Sequence, residues 1–417
     1  MDRDLLEDIF RTAVAAAQPE RTIRANLPPK PRGKTVVIGA GKASARMAQA
    51  FEDEWDGPVE GLVVTRYGYA VPTRQIEIVE AAHPVPDLAG FLAARRLMAR
   101  TTGLGHDDLV VALISGGGSA LLPAPASGLT LEDEQEINRA LFASGAPIAV
   151  MNAIRNEFSA IKGGRLAAHA APARVATLVV SDIPGDDPAL VASGPTVPLA
   201  SRRDEVRHLV SLYGITLPKA AAALLATSDN PAPRPTDPVF AHNTVRIVAS
   251  AALSLDAAAA RAGELGIAAH ILSDAIEGEA RDVAQVHAAL AREIQSRNRP
   301  FAKPALLLSG GETTVTLKGK GRGGRNAEFL LALAIAIEGV SGITALAADT
   351  DGIDGSEDNA GAIADGTSAT RMRAAGIDPR AALANNDAYG AFNAIGDLVV
   401  TGPTGTNVND FRAIIIR

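Results

Sequence analysis

Through the first half of the chain, short apolar runs alternate with stretches in which apolar residues recur at helical spacing. Thr35–Ile38, Gly61–Val64, Leu109–Ile114 and Thr177–Val180 are brief and mostly apolar, and they read as strands. Ala43–Glu54, Leu88–Thr102 and Asn152–Ile161 read as helices between or after them. Such alternation predicts an α/β fold with a parallel sheet covered on both faces, and it directs attention to loops at the carboxyl ends of strands. Pro231-Ala-Pro-Arg-Pro-Thr-Asp-Pro238 interrupts the pattern, because proline fixes φ and removes a donor, and it reads as a stiff connector. Beyond it the alternation resumes with Val245–Ala249, a helix through Ala262, Ala268–Leu272, a helix from Ala280 to Ser296, and Ala305–Leu308. The expectation is two domains, residues 1–238 and 239–417.

Composition narrows this picture in three ways. Aromatic residues make up 4% of the 417 positions against 47% hydrophobic overall, so the cores must be packed with Ala, Val, Leu and Ile, as suits parallel sheets under Ala-rich helices. The absence of cysteine removes disulfides, thiolate metal sites and cysteine nucleophiles together. The net charge of −7 disfavours nucleic acid as a partner and means that an anionic substrate needs cations gathered locally. The acidic, helix-like start lacks the basic region of a leader, and the apolar run Phe329–Ile337 is too short for a bilayer. A soluble cytoplasmic protein is the expectation.

Six loops carry candidate chemistry. Val36-Val-Ile-Gly-Ala-Gly-Lys-Ala-Ser44 runs from a strand through Gly39 and Gly41 into a helix, a turn that lets backbone N–H groups and Lys42 meet an anion. It lacks the third glycine of a dinucleotide fingerprint, and Val64-Thr-Arg66 stands where that fold needs an acid. Ser115-Gly-Gly-Gly-Ser119 follows an apolar strand. Three successive glycines are costly in conformational entropy, so Ser115, Gly116, Gly117, Gly118 and Ser119 read as a phosphate cradle. Arg155, Ser159 and Lys162 fall on one helical stripe, ended by Gly163-Gly164. Ser181-Asp-Ile-Pro-Gly-Asp-Asp187 puts carboxylates at a strand end, Asp182 nearest, which suits Mg²⁺. Leu308-Ser-Gly-Gly-Glu312, with Gly310 and Glu312, precedes the cationic run Lys318–Arg325, and Arg325, Asn326 and Glu328 open a helix. Asp351, in Asp349-Thr-Asp-Gly-Ile-Asp354, is a candidate general base or metal ligand, and Thr404-Gly-Thr-Asn-Val-Asn-Asp410 forms a last polar turn.

Taken in order, GAGKAS, SGGGSALL, RNEFSAIKGGRLA, SDIPGDDPALVASGPT, LLSGGETTVTL, GRGGRNAEF, DTDGIDG and GPTGTNVND resemble the two-domain glycerate 2-kinases, whose C-terminal half is the MOFRL domain and which once carried the label hydroxypyruvate reductase. The letters MOFRL do not occur as such, since Gly323-Gly-Arg-Asn-Ala-Glu-Phe329 stands in that region. The resemblance implies a Rossmann-like N-terminal domain, a distinct α/β C-terminal domain and an active site in the cleft between them. It implies ATP and Mg²⁺, with D-glycerate phosphorylated at its 2-hydroxyl. It assigns the glycine-loop lysine to Lys42, the arginine of the GRN block to Arg325 and the acid of the aspartate turn to Asp351. The expected partners are glycerate and a nucleotide, with no nucleic acid or membrane, and a homodimer is left open. Two other readings stand beside it: an NAD(P)H-dependent hydroxypyruvate reductase and a non-catalytic small-anion binding protein.

Overall fold

The computed structural model describes residues 2–199, 203–227 and 232–417. Its chain divides into two compact units, Pro19–Val248 and Met1–Gln18 with Ala249–Arg417. The crossing at 248/249 lies ten residues beyond the expected division at 238/239, near the end of the last strand of the first sheet. Pro231 of the proline-rich connector lies outside the described residues.

The N-terminal unit is built on six strands: β1 (Thr35–Ala40), β2 (Glu60–Arg66), β3 (Ile76–Ala81), β4 (Leu109–Ser115), β5 (Arg174–Val180) and β6 (Thr244–Ala249). They lie in the order β3-β2-β1-β4-β5-β6, and β1 to β5 pair in parallel throughout. The order reverses between β1 and β4, the switch point at which loops diverge and leave a crevice. β1, β4 and most of β5 are buried along their length, as the apolar runs required. The helix expected over Asn152–Ile161 spans Ile148–Glu157 instead. Phe158 caps it, and Ser159 begins the next turn, its Oγ accepting from the backbone of both Ile161 and Lys162 at 3.2 Å. Ser159 and Lys162 therefore leave the stripe assigned to them with Arg155. Lys162 is buried with its Nζ 2.5 Å from Glu134.

The C-terminal unit holds a second six-stranded sheet and a two-stranded one. Its strands are β7 (Ala268–Ser273), β8 (Gly278–Glu279), β9 (Ala305–Gly311), β10 (Thr313–Thr314), β11 (Ile343–Asp349), β12 (Gly361–Asp365), β13 (Leu398–Val399) and β14 (Asp410–Ile416). The larger sheet runs β13-β12-β11-β14-β9-β7, antiparallel except for the β7–β9 pair. Alternate residues serve two separate cores. Leu307, Ala345, Ala347 and Ile414 face helices Ala280–Arg297 and Arg325–Ala336, while Leu306, Leu308, Leu346 and Ile415 face Asp2–Ala16 and Ala251–Glu264. The first helix belongs to this unit because Leu6, Ile9 and Phe10 have their apolar partners here, with the Phe10 and Phe411 rings 5.5 Å apart. Phe329→Ala, in a fully buried position of the other core, should cost about 3–5 kcal/mol, read as a lowered denaturation midpoint. No helix among the described residues is long and apolar enough to cross a membrane.

Candidate active site

At the switch point of the N-terminal sheet, the loops after β1 and β4 interlock. Lys42 N–H donates to Gly116 O at 2.9 Å, and Ser115 Oγ accepts from Ala43 N–H and contacts Ser44 Oγ, both at 3.0 Å. This needs glycine: a Cβ at Gly39 would stand 2.4 Å from Leu113 O, and one at Gly41, where φ is +141°, would stand 2.1 Å from Ser115 Oγ. Gly39, Gly41 and Ser115 thus hold the two loops together, and the Ser115 hydroxyl is spent on that task.

The three glycines that follow open the loop toward its neighbours. Gly116 lies flat against Asp182, since a Cβ there would fall 1.6 Å from Asp182 Oδ2. Gly117 takes a left-handed conformation with φ +81° beside His83 and Lys42. Gly118 passes close to Ala40 O and Ala192. Ser119 Oγ bonds Ser193 Oγ at 2.7 Å, and Ser193 in turn donates to Asn152 Oδ1 at 2.9 Å. Gly116→Ala should displace the Asp182 carboxylate and depress turnover by ~10²-fold, the scale of losing one positioned group. Steady-state kinetics beside an unchanged thermal midpoint would check this.

Lys42 is half-buried, and its ammonium makes no hydrogen bond or ion pair to any described residue. A cation without a partner in an acidic protein is available to a ligand. Asp182, half-buried on the loop after β5, keeps a carboxylate in the same crevice.

In the C-terminal unit the chemistry gathers at the start of the helix Arg325–Ala336. Asp354 caps that helix, accepting from the backbone of Asn326 at 3.0 Å and of Ala327 at 2.8 Å, and burial pushes its carboxyl up to about 6. Arg325 is held by three carboxylates: Nε donates to Asp410 at 2.6 Å, one terminal nitrogen to Asp349 at 2.7 Å and the other to Glu312 at 3.0 Å. These acids raise its pKa above the usual arginine value despite burial. Asp410 is fully buried, bonded also to Asn326 Nδ2, Thr313 and Arg412. Burial and the neighbouring Asp351 push Asp349 up in turn.

Asp351 itself is half-buried, its Oδ1 accepting from Ile353 N–H at 2.8 Å while its own N–H donates to Asp349. Asn326 is fully buried, with an Oδ1 that has no hydrogen-bond partner among the described residues. Glu312 is the exposed member of the acidic set, and the Gly310 carbonyl accepts from Arg412 at 3.1 Å. Glu328 turns inward to Arg281 at 2.6 Å and Asn386 at 2.9 Å, away from Arg325's acids. Asp349, Asp410 and Arg412 were not singled out from the sequence; Asp410 had a signal, standing at the end of a Gly-Thr-Asn turn just before an apolar run.

The family model described as a domain of unknown function (DUF4147) matches residues 5–226, and the MOFRL family model matches residues 305–410. The D-glycerate 2-kinase of Thermotoga maritima is 37% identical, over 98% of this chain and 97% of that protein. A protein of Agrobacterium vitis named as a hydroxypyruvate reductase is 53% identical over 99% of this chain and 94% of its own. The crystal structure of glycerate kinase from Thermotoga maritima superposes with a TM-score of 0.92 at 37% identity, covering 99% of each chain. The chain belongs to the glycerate kinase family and carries its MOFRL domain.

Proposed function

We propose that this protein transfers the γ-phosphoryl group of ATP to D-glycerate at the 2-hydroxyl, giving 2-phosphoglycerate and ADP. The observation that carries the reading is the likeness to the Thermotoga maritima D-glycerate 2-kinase over nearly the whole of both chains. The strand order β3-β2-β1-β4-β5-β6 supports a Rossmann-like description of the N-terminal unit. In this reading the enzyme is cytoplasmic, and residues of both units act on one substrate.

Phosphoryl transfer asks chiefly for positioning and for neutralisation of charge. Lys42 and Arg325 hold the glycerate carboxylate and the transferring phosphoryl group. Arg325, fixed by its three acids, arrives pre-oriented and loses little freedom when it binds. Gly116, Gly117, Gly118 and Ser119 lie along the nucleotide phosphates, with Gly39, Gly41 and Ser115 shaping that loop from behind. Gly310, Glu312 and Asn326 border the nucleotide in the C-terminal unit. Asp182 and Asp351 divide two tasks, accepting the hydroxyl proton and holding Mg²⁺.

Among the described residues no cluster of three or more His, Cys, Asp or Glu side chains is arranged to hold a metal alone. Mg²⁺ in phosphoryl transfer takes one or two carboxylates and completes its shell with phosphate oxygens and water, so the half-buried Asp182 and Asp351 fit that demand. When bound, the ion supplies charge neutralisation at the phosphates.

The test is purified protein with D-glycerate, ATP and Mg²⁺, followed for ADP, beside a second reaction with hydroxypyruvate and NAD(P)H. ADP release that depends on D-glycerate supports the kinase. Oxidation of the nicotinamide without ADP release replaces it with the reductase, and silence in both leaves an anion-binding protein.

A further inference from the structure

The carboxyl ends of β1, β2 and β3 lie side by side in the sheet and carry three nitrogen-bearing side chains. Lys42 follows β1, Arg66 ends β2, and His83 stands two residues beyond β3. No carboxylate pairs with either cation among the described residues. Arg66's guanidinium lies 4.5 Å over the Tyr69 ring, and its N–H edge has no acceptor among the described residues. The acids nearest in the chain are committed elsewhere. Glu80 accepts from Gly68 N–H at 2.6 Å and Ala70 N–H at 3.3 Å, and Asp87 accepts from Tyr67 Oη at 2.8 Å and Gly90 N–H at 2.9 Å. Gly117 closes the arrangement, since a Cβ there would stand 3.2 Å from His83 Nε2 and 3.3 Å from Lys42 Cγ. The imidazole and the lysine stem therefore flank one bare glycine.

Two cations beside a half-buried imidazole, neither ion-paired to a described residue and with Asp182 on the neighbouring Gly116 as the nearby carboxylate, are a costly arrangement for a protein with nothing to bind there. Burial, then Lys42, then Arg66 bring the His83 pKa down to about 4, so its ring is neutral near pH 7 and keeps one N–H to donate. We propose that Lys42, Arg66 and His83 form a single oxyanion site beside Gly117, which takes the carboxylate of the acceptor or a phosphate of the nucleotide. Arg66 offers a planar fork, Lys42 a point charge and His83 a directional donor. The inference rests on the kinase reading for the identity of the anion; the site itself stands on the side chains just described.

Ring resonances of His83, identified by their loss in His83→Gln, would be followed from about pH 5 to 8. D-glycerate, ADP, inorganic phosphate and uncharged glycerol are added separately. An anion seated between the two cations offsets their charge, so the His83 pKa should climb from about 4 toward its ordinary value, with the remaining histidines unmoved. A response to D-glycerate but not to glycerol makes the site one for the carboxylate. A response confined to ADP and phosphate makes it one for the nucleotide. No movement with any of the three anions overturns the site. Arg66→Gln should weaken the responding anion by about tenfold or more, with Arg66→Lys recovering part of that, as befits a lost charge-assisted bond. Unchanged affinity in Arg66→Gln removes Arg66 from it. A silent His83 in a protein that forms ADP sinks the site and keeps the kinase; a responsive His83 in a protein that forms none does the reverse.

Discussion

Lys42→Ala is expected to lower turnover of D-glycerate by ~10²-fold or more, with the thermal midpoint little changed. The asymmetry follows from the side chain's surroundings. Its ammonium has no partner among the described residues to lose, so its removal strands no buried charge there. The bonds that shape the loop run through the Lys42 backbone and through Ser115, and alanine keeps them. What is lost, in the proposed function, is a cation for the substrate's charge. Steady-state kinetics and a thermal melt on the same preparation check both halves, and near-normal activity would take Lys42 out of the site.

Arg325→Ala should behave differently, losing activity on the same scale and stability as well. Three carboxylates converge on the guanidinium, two of them on buried residues, and its removal leaves Asp349, Asp410 and Glu312 facing one another. Breaking a buried pair by deleting one partner costs roughly 3–5 kcal/mol. The stability loss should shrink at low pH, because Asp349, already pushed up by burial, takes a proton and relieves the repulsion. Arg325→Lys returns the charge without the fork, so it should recover stability in part and activity hardly at all. Denaturation midpoints at two pH values, alongside kcat and KM, separate these effects. An Arg325→Ala protein as stable as the parent would mean that the acids do not depend on it.

The two variants also mark the kind of candidate that a sequence offers. Lys42 and Arg325 stand beside glycines at the ends of apolar runs, and such local patterns survive inspection of a single chain. The parallel sheet was legible for the same reason, because strands buried on both faces are apolar without interruption. Asp349 and Asp410 were harder. They are 61 residues apart in the chain and meet only because β11 and β14 pair in the register Asp349↔Asp410. Antiparallel pairing of that kind leaves no periodic trace in the sequence. The first helix is amphipathic whichever core it serves, so its place with Leu255 and Phe411 had to come from packing. Ser159 and Lys162 were misjudged because helical spacing continues in the sequence past Glu157, where the helix ends.

The most direct test of phosphoryl transfer to glycerate is the phosphorus NMR spectrum of a reaction containing this protein, D-glycerate, ATP and Mg²⁺. Transfer to the 2-hydroxyl gives a new phosphomonoester resonance that coincides with added 2-phosphoglycerate and grows in step with ADP. A spectrum in which ATP persists, or in which the phosphate appears on another hydroxyl, would contradict it.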